Sequence, residues 1–105
     1  MANYKVIFTK PAKNDLDGVY RYISEQAMMP ATALKLTENI KNEIDYYLSY
    51  MPYHPFADDN RLAKKGIRKM VVKKYLVLFI VFEKERTVSV ERIIHGARDW
   101  EGLLT

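Results

Sequence analysis

The sequence contains no cysteine, which excludes a disulfide scaffold, a thiolate zinc site and cysteine nucleophilic catalysis. It contains two histidines, His54 and His95. A metal site would therefore have to be rich in carboxylates, and the isolated pair Asp58-Asp59 does not make one. No metal and no cofactor is expected. No apolar run approaches the roughly 20 residues that cross a bilayer; the longest stretch is Tyr75 to Phe82. Met1-Ala2-Asn3-Tyr4-Lys5 lacks the apolar run of a signal peptide. There is no internal repeat, no low-complexity tract and no interdomain linker. The 105 residues therefore read as one domain spanning 1–105, soluble and expected in the cytoplasm, with no membrane partner.

Apolar residues make up 49% and charged residues 29%, a globular balance. A domain of this length buries about two-thirds of its unfolded surface, enough for one core. Charge is unevenly placed. Residues 1–60 hold 6 Lys/Arg against 8 Asp/Glu, whereas residues 61–105 hold 11 against 5. Arg61, Lys64, Lys65, Arg68, Lys69, Lys73 and Lys74 follow one another with no acid among them. Such a run fits either a polyanionic or acidic partner or a solvated, solubilising loop.

Tyr4 to Thr9 is a short β-branched and aromatic run, a first strand. Thr9 is placed to cap a following helix, with Pro11 in its first turn. Ala12, Leu16, Val19, Tyr20 and Ile23 then form one apolar helical stripe, although Gly18 inside it weakens the helix by about 1 kcal/mol relative to alanine. Met28-Met29-Pro30 breaks the pattern. Pro30 opens a second helix whose apolar side is Ala33, Leu36, Ile40, Ile44, Tyr47 and Leu48. So short a connection predicts a helical hairpin.

Ser49 to Asn60, with two prolines and no periodicity, reads as a loop. Ile67 to Val72 alternates imperfectly, with Arg68, Met70 and Val72 on one side and Lys69, Val71 and Lys73 on the other. Tyr75 to Phe82 is apolar on both faces, as a central covered strand is. Glu83 to Arg86 is a charged hairpin turn. Thr87 to His95 alternates, with Val88, Val90, Arg92 and Ile94 facing one way and Thr87, Ser89, Glu91, Ile93 and His95 the other. Gly96 ends the strand, and Arg98 to Leu104 reads as a short tail helix. The order β-α-α-β-β-β predicts an α+β domain with a helical hairpin on one face of a mostly antiparallel sheet. The other face, apolar and bordered by basic residues, is expected to stay open for a partner to cover.

Gly66-Ile67-Arg68 resembles the G-x-R strand of the RelE/ParE superfamily of toxins from type II toxin–antitoxin modules. The central strand Tyr75 to Val81 is similar to that family's. Val90 to Asp99, reading V-E-R-I-I-H-G-A-R-D, resembles the ending shared by ParE-like and plasmid-stabilisation members, and is the most specific of these features. Phe8-Thr9-Lys10-Pro11-Ala12 to Asp15-Leu16, with Tyr22-Ile23, is similar to the family's opening A-x-x-D-L … Y-I. The resemblance implies a growth-inhibiting toxin neutralised by an antitoxin that wraps it with an acidic or amphipathic segment. It also implies one of two activities: inhibition of DNA gyrase, as in ParE-like members, or ribosome-dependent mRNA cleavage, as in RelE-like members.

Metal-free RNA cleavage needs a base, an acid and cations on the phosphate. His95 is the candidate base or acid, with Arg68, Lys73 or Arg92 on the phosphate. RelE-like nucleases carry an arginine after the tyrosine that opens the central strand. Leu76 stands there, and neighbouring Lys73 or Lys74 lacks the bidentate fork. The departure favours a ParE-like binder of a protein target over an interferase. It also admits a degenerate module that binds antitoxin without toxicity. Candidate target- or antitoxin-binding residues are Arg61, Lys64, Lys65, Lys69, Lys74, Arg92, Arg98 and Trp100. Each has a plainer alternative: His95 as a strand-end fastener to Asp99 or a backbone carbonyl, Arg68 and Arg92 as structural ion pairs, Arg98-Asp99 as a pair or cap, Trp100 as a clasp over the core. The open face also predicts self-association when no antitoxin is present, a homodimer being one form.

Overall fold

The computed structural model describes residues 3–26 and 28–95. The expected tail helix, with Arg98, Asp99 and Trp100, lies outside them. Seven elements run in chain order among the described residues: β1 (Lys5–Phe8), α1 (Lys10–Gln26), α2 (Pro30–Tyr50), α3 (Asn60–Lys64), β2 (Ile67–Val72), β3 (Tyr75–Phe82) and β4 (Thr87–His95). The four strands form one sheet in the order β1-β4-β3-β2, antiparallel except for the parallel pair β1–β4. The expected α+β order and helical hairpin hold, and β3 is central as its two-sided apolar run required.

Thr9 caps α1 as its position foretold, its Oγ1 accepting the Ala12 N–H at 3.2 Å. Pro30 opens α2, where its missing N–H leaves no helical bond unmade. Ile40, Ile44 and Leu48 of α2 are fully buried against Val77, Phe79, Val88, Val90 and Ile93 of the sheet. From α1, Ala12 is fully buried, and Leu16 and Val19 pack at the margin of the same cluster. Tyr47 departs from the expected stripe. It stays 47% exposed, because Ile44 and Leu48 already fill that side of the helix.

β4 does not alternate strictly. Leu78 pairs with Arg92 but Phe79 pairs with Val90, so Glu91 is an extra residue in the ladder. Such a bulge shifts the side-chain phase by one. Ile93 accordingly joins Val88 and Val90 in the helix-facing core, while Ile94 joins the opposite face. The expectation that Val90 and Ile94 share a side is corrected on this ground. Thr9 Oγ1 donates to the Glu91 carbonyl at 3.1 Å, and Ser89 Oγ donates to Glu91 Oε2 at 2.7 Å. These bonds hold the bulge.

The second face is not simply open. α2 runs on to Tyr50, and the expected loop ends in α3. Asp59 caps α3, its carboxylate accepting the N–H groups of Arg61 (2.8 Å) and Leu62 (3.4 Å). Leu62 and Ala57 are thereby laid over Ile67, Leu78 and Ile94 as a second small core. An acid immediately before a short run containing one leucine is a weak signal, swamped in the sequence by the prolines upstream. The face stays exposed beyond this cover, at Ile7 and Phe82.

Truncating Phe79, fully buried at the centre of the sheet, to alanine is expected to cost about 3–5 kcal/mol, measured by urea denaturation. The side-chain bond from Arg61, with the two backbone N–H groups, holds the Asp59 carboxyl below the ordinary carboxylate range. A depressed carboxyl stabilises the fold above the unfolded-state value and ceases to do so as the pH falls through the lowered one. The urea midpoint of Asp59→Ala is therefore expected below wild type at neutral pH, with the gap closing as the carboxylates protonate.

Candidate functional site

Several of the basic residues after position 60 are met by partners within the chain. Arg61 turns back onto its own cap, 3.1 Å from Asp59 Oδ2. Lys69 pairs with Asp58 at 2.7 Å, and Lys73 lies 3.9 Å from Glu43. Lys64, Lys65 and Lys74 are exposed and make no ion pair among the described residues. Carboxylates from the loop and α2 thus meet Arg61, Lys69 and Lys73 locally.

Arg68 is spent inside the chain. Its Nη1 donates to the His54 carbonyl at 2.7 Å. The guanidinium lies over the rings of Phe56 (4.0 Å) and Tyr53 (5.1 Å). Backbone bonds between Ala57 N–H and the Ile67 carbonyl, and between Lys69 N–H and the Pro55 carbonyl, lace the same loop to the edge of β2. Cation–π contact and a charge-assisted bond make Arg68 the pin of residues 53–57. Arg86 works similarly at the other hairpin, stacked on Tyr4 at 4.5 Å and donating from Nε to the Asn3 carbonyl at 3.1 Å.

Arg92 is held more tightly still. Asp15 of α1 accepts Arg92 Nε at 2.8 Å through Oδ2 and Nη2 at 3.0 Å through Oδ1. Its Oδ2 also takes the Ile93 N–H at 2.9 Å. Both side chains are largely buried, at 18% and 14% exposure. These hydrogen bonds push the guanidinium pKa above its usual value. The bidentate fork immediately follows the bulge and anchors α1 to β4. Asp15, quoted in the sequence only within the A-x-x-D-L pattern, is thus a residue to which sequence reasoning assigned no role.

His95 closes β4 opposite Tyr75, the two rings meeting edge to face at 5.6 Å. Burial pushes the Tyr75 phenol up. Both line a cleft of about 650 Å³ between α1 and the sheet, with Asp15, Val19, Tyr22 and Ile93. Lys73, at the β2–β3 turn with a left-handed φ of 56°, is two residues from Tyr75. Arg68 is elsewhere. It pairs with Phe79, four residues along β3, or about 13 Å at a strand's rise per residue. His95 and Lys73 therefore sit near one end of the hairpin, and Arg68 does not join them. The expected trio of His95, Arg68 and Lys73 is not gathered. Among the described residues no group of three His, Asp or Glu could hold a metal ion. No helix there is long and apolar enough to cross a membrane.

With four strands, a helical hairpin and an internally pinned G-x-R strand, the fold is that of a small toxin of the RelE/ParE type. Residues 6–100 match the family described as ParE toxin of type II toxin–antitoxin system, parDE; the chain belongs to this family. Among solved structures it is similar to the chromosomal ParDE toxin–antitoxin system from P. aeruginosa, with a TM-score of 0.68 and 19% identity over 89% of this chain and 96% of that one. It is also similar to the RelBE2 toxin–antitoxin complex from Mycobacterium tuberculosis, with a TM-score of 0.66 and 20% identity over 93% of this chain and 97% of that one. At these identities the two structures establish the fold. No curated protein sequence matches the chain.

Removing the Asp15 carboxylate deprives a largely buried guanidinium of its counter-charge and the Ile93 N–H of its acceptor. Asp15→Ala is expected to destabilise the protein by about 3–5 kcal/mol, and replacing both partners, Asp15→Leu with Arg92→Met, to recover most of that loss. Chemical denaturation of the two variants measures both.

Proposed function

We propose that the chain arrests growth by gripping a protein target, DNA gyrase by family resemblance, and that a cognate antitoxin holds it inactive in the cytoplasm. Family membership over residues 6–100 is the observation that carries this reading. The cation geometry supports it. An interferase must bring several cations onto one scissile phosphate, yet Arg68 is committed to the His54 carbonyl and two rings, and Arg92 to Asp15. Leu76 occupies the position where RelE-like nucleases carry arginine.

The antitoxin part of the proposal draws on both structural relatives, each described as a toxin–antitoxin system or complex. Exposed Lys64, Lys65 and Lys74, and exposed Ile7 and Phe82 on the sheet, suit an acidic, amphipathic segment that neutralises the lysines and buries the apolar side chains. The free chain is then expected to self-associate, and a clean monomer by light scattering would count against so exposed a surface.

A second reading, a ribosome-dependent interferase, is favoured by the meeting of Tyr75, His95 and nearby Lys73 at one hairpin end. Two assays separate the readings. Purified chain at micromolar concentration is expected to block supercoiling by gyrase or trap its cleavage complex; an unaffected enzyme would remove gyrase as the target. Toeprinting on translating ribosomes is expected to show no new cut. A cut that disappears in His95→Ala would instead establish the interferase.

A further inference from the structure

We infer that the outer edge of β1 is a strand-addition site, where an extended acidic segment of the antitoxin joins the sheet as a fifth strand. The inference rests on the toxin reading above and adds where the antitoxin is held and by which atoms. The sheet has two margins. At β2 the margin is laced to the chain's own loop, with Ala57 N–H donating to the Ile67 carbonyl at 2.9 Å and Lys69 N–H to the Pro55 carbonyl at 3.0 Å. At β1 the cover stops short of the strand: Tyr4 N–H reaches the Ser49 carbonyl at 3.1 Å. Lys5 N–H and Thr9 N–H turn the other way, to the carbonyls of Arg86 and Val90 on the β4 side. Successive residues of a strand aim their backbone groups to opposite sides. The N–H and C=O groups of Val6 and Phe8 therefore point away from β4, and none of the four makes a hydrogen bond among the described residues.

An unpaired edge recruits a strand, and the charges beside this one select which. Between Tyr4 and Asn14 the chain carries Lys5, Lys10 and Lys13 and no aspartate or glutamate. All three are exposed, and none makes an ion pair among the described residues. The nearby acids are engaged or matched. Glu83 accepts the Tyr4 hydroxyl and lies 3.6 Å from Arg86, and Glu91 is turned onto the Ser89 hydroxyl. The groove that opens from Phe8 between α1 and α2 holds Lys13 and Lys41 beside Asp17 and Glu38, so the positive excess falls on Lys5 and Lys10, at either end of the strand. Lysines flanking an edge discourage its pairing with a copy of itself and complement a strand that carries acids. Between them Ile7 is 42% exposed, on the face opposite Val6 and Phe8, which pack at the margin of the core. The fitting segment thus has acidic residues at its ends and an aliphatic one between them, laid beside Ile7.

The test uses the full chain, alone and co-purified with its antitoxin. The Val6 and Phe8 amides are expected to exchange with deuterium at least tenfold more slowly in the complex than in the free chain, whereas the Lys5 amide, bonded to Arg86, is protected in both. Val6→Pro removes a donor that no internal bond uses, a position where an edge strand tolerates proline. It is expected to keep the circular dichroism spectrum while antitoxin affinity falls by about tenfold or more. Lys5→Glu with Lys10→Glu is expected to lose affinity likewise, and Lys5→Arg with Lys10→Arg to keep it. Unchanged exchange at Val6 and Phe8 in a complex that still forms would overturn the inference and leave the toxin reading standing. So would charge-reversed toxin captured as well as wild type. Protection of the two amides that grows with the concentration of the free chain would assign the edge to a second copy and overturn it too. A wild-type chain that does not arrest growth would bring down the toxin reading itself.

Discussion

The structure turns on one carboxylate. Asp15 reaches from α1 to the strand that both neighbours share and binds a guanidinium and a backbone N–H at once. Its partners follow directly on the Glu91 bulge, where the ladder is interrupted and the strand most needs an outside hold. A largely buried ion pair is not in itself a strong stabiliser, because desolvation offsets much of its attraction. Its value here is positional. It fixes the phase of β4 after the bulge, and that phase decides that Ile93 faces the helices and Ile94 faces α3.

The same economy of cations runs through the rest of the chain. A basic sequence run suggests one charged surface, but three of its members meet carboxylates nearby and a fourth is sandwiched by aromatic rings. Within the run, Lys64, Lys65 and Lys74 make no ion pair among the described residues. Charge counts alone could not reveal this: Asp58 and Asp59 stand just upstream of the run, and Glu43 comes from distant α2.

The sequence made the scaffold legible wherever one local signal ruled. Thr9 before Pro11, the Ile40-Ile44-Leu48 spacing and the uninterrupted apolar run of β3 each specify an element without outside help. It failed where tertiary structure decided. The Glu91 bulge leaves no mark in a strand that alternates well on paper. α3 is a five-residue helix held by a cap and by burial of Leu62, and neither is visible before the sheet exists. Of the candidate site, the proximity of His95 and Lys73 follows from strand pairing. The diversion of Arg68 to the His54 carbonyl could not be foreseen, since it depends on a loop with no periodicity of its own.

The parallel pair at the sheet's margin bears on the order in which this protein folds. Lys5 aligns with Thr87 and Phe8 with Val90, so β1 waits for β4 before it has a neighbour in the sheet. Contacts this remote in sequence form late and slowly, and a nascent chain on the ribosome cannot complete the sheet. Closure of the sheet is thereby tied to one remote pairing, and β1 has no strand to join until β4 is in place.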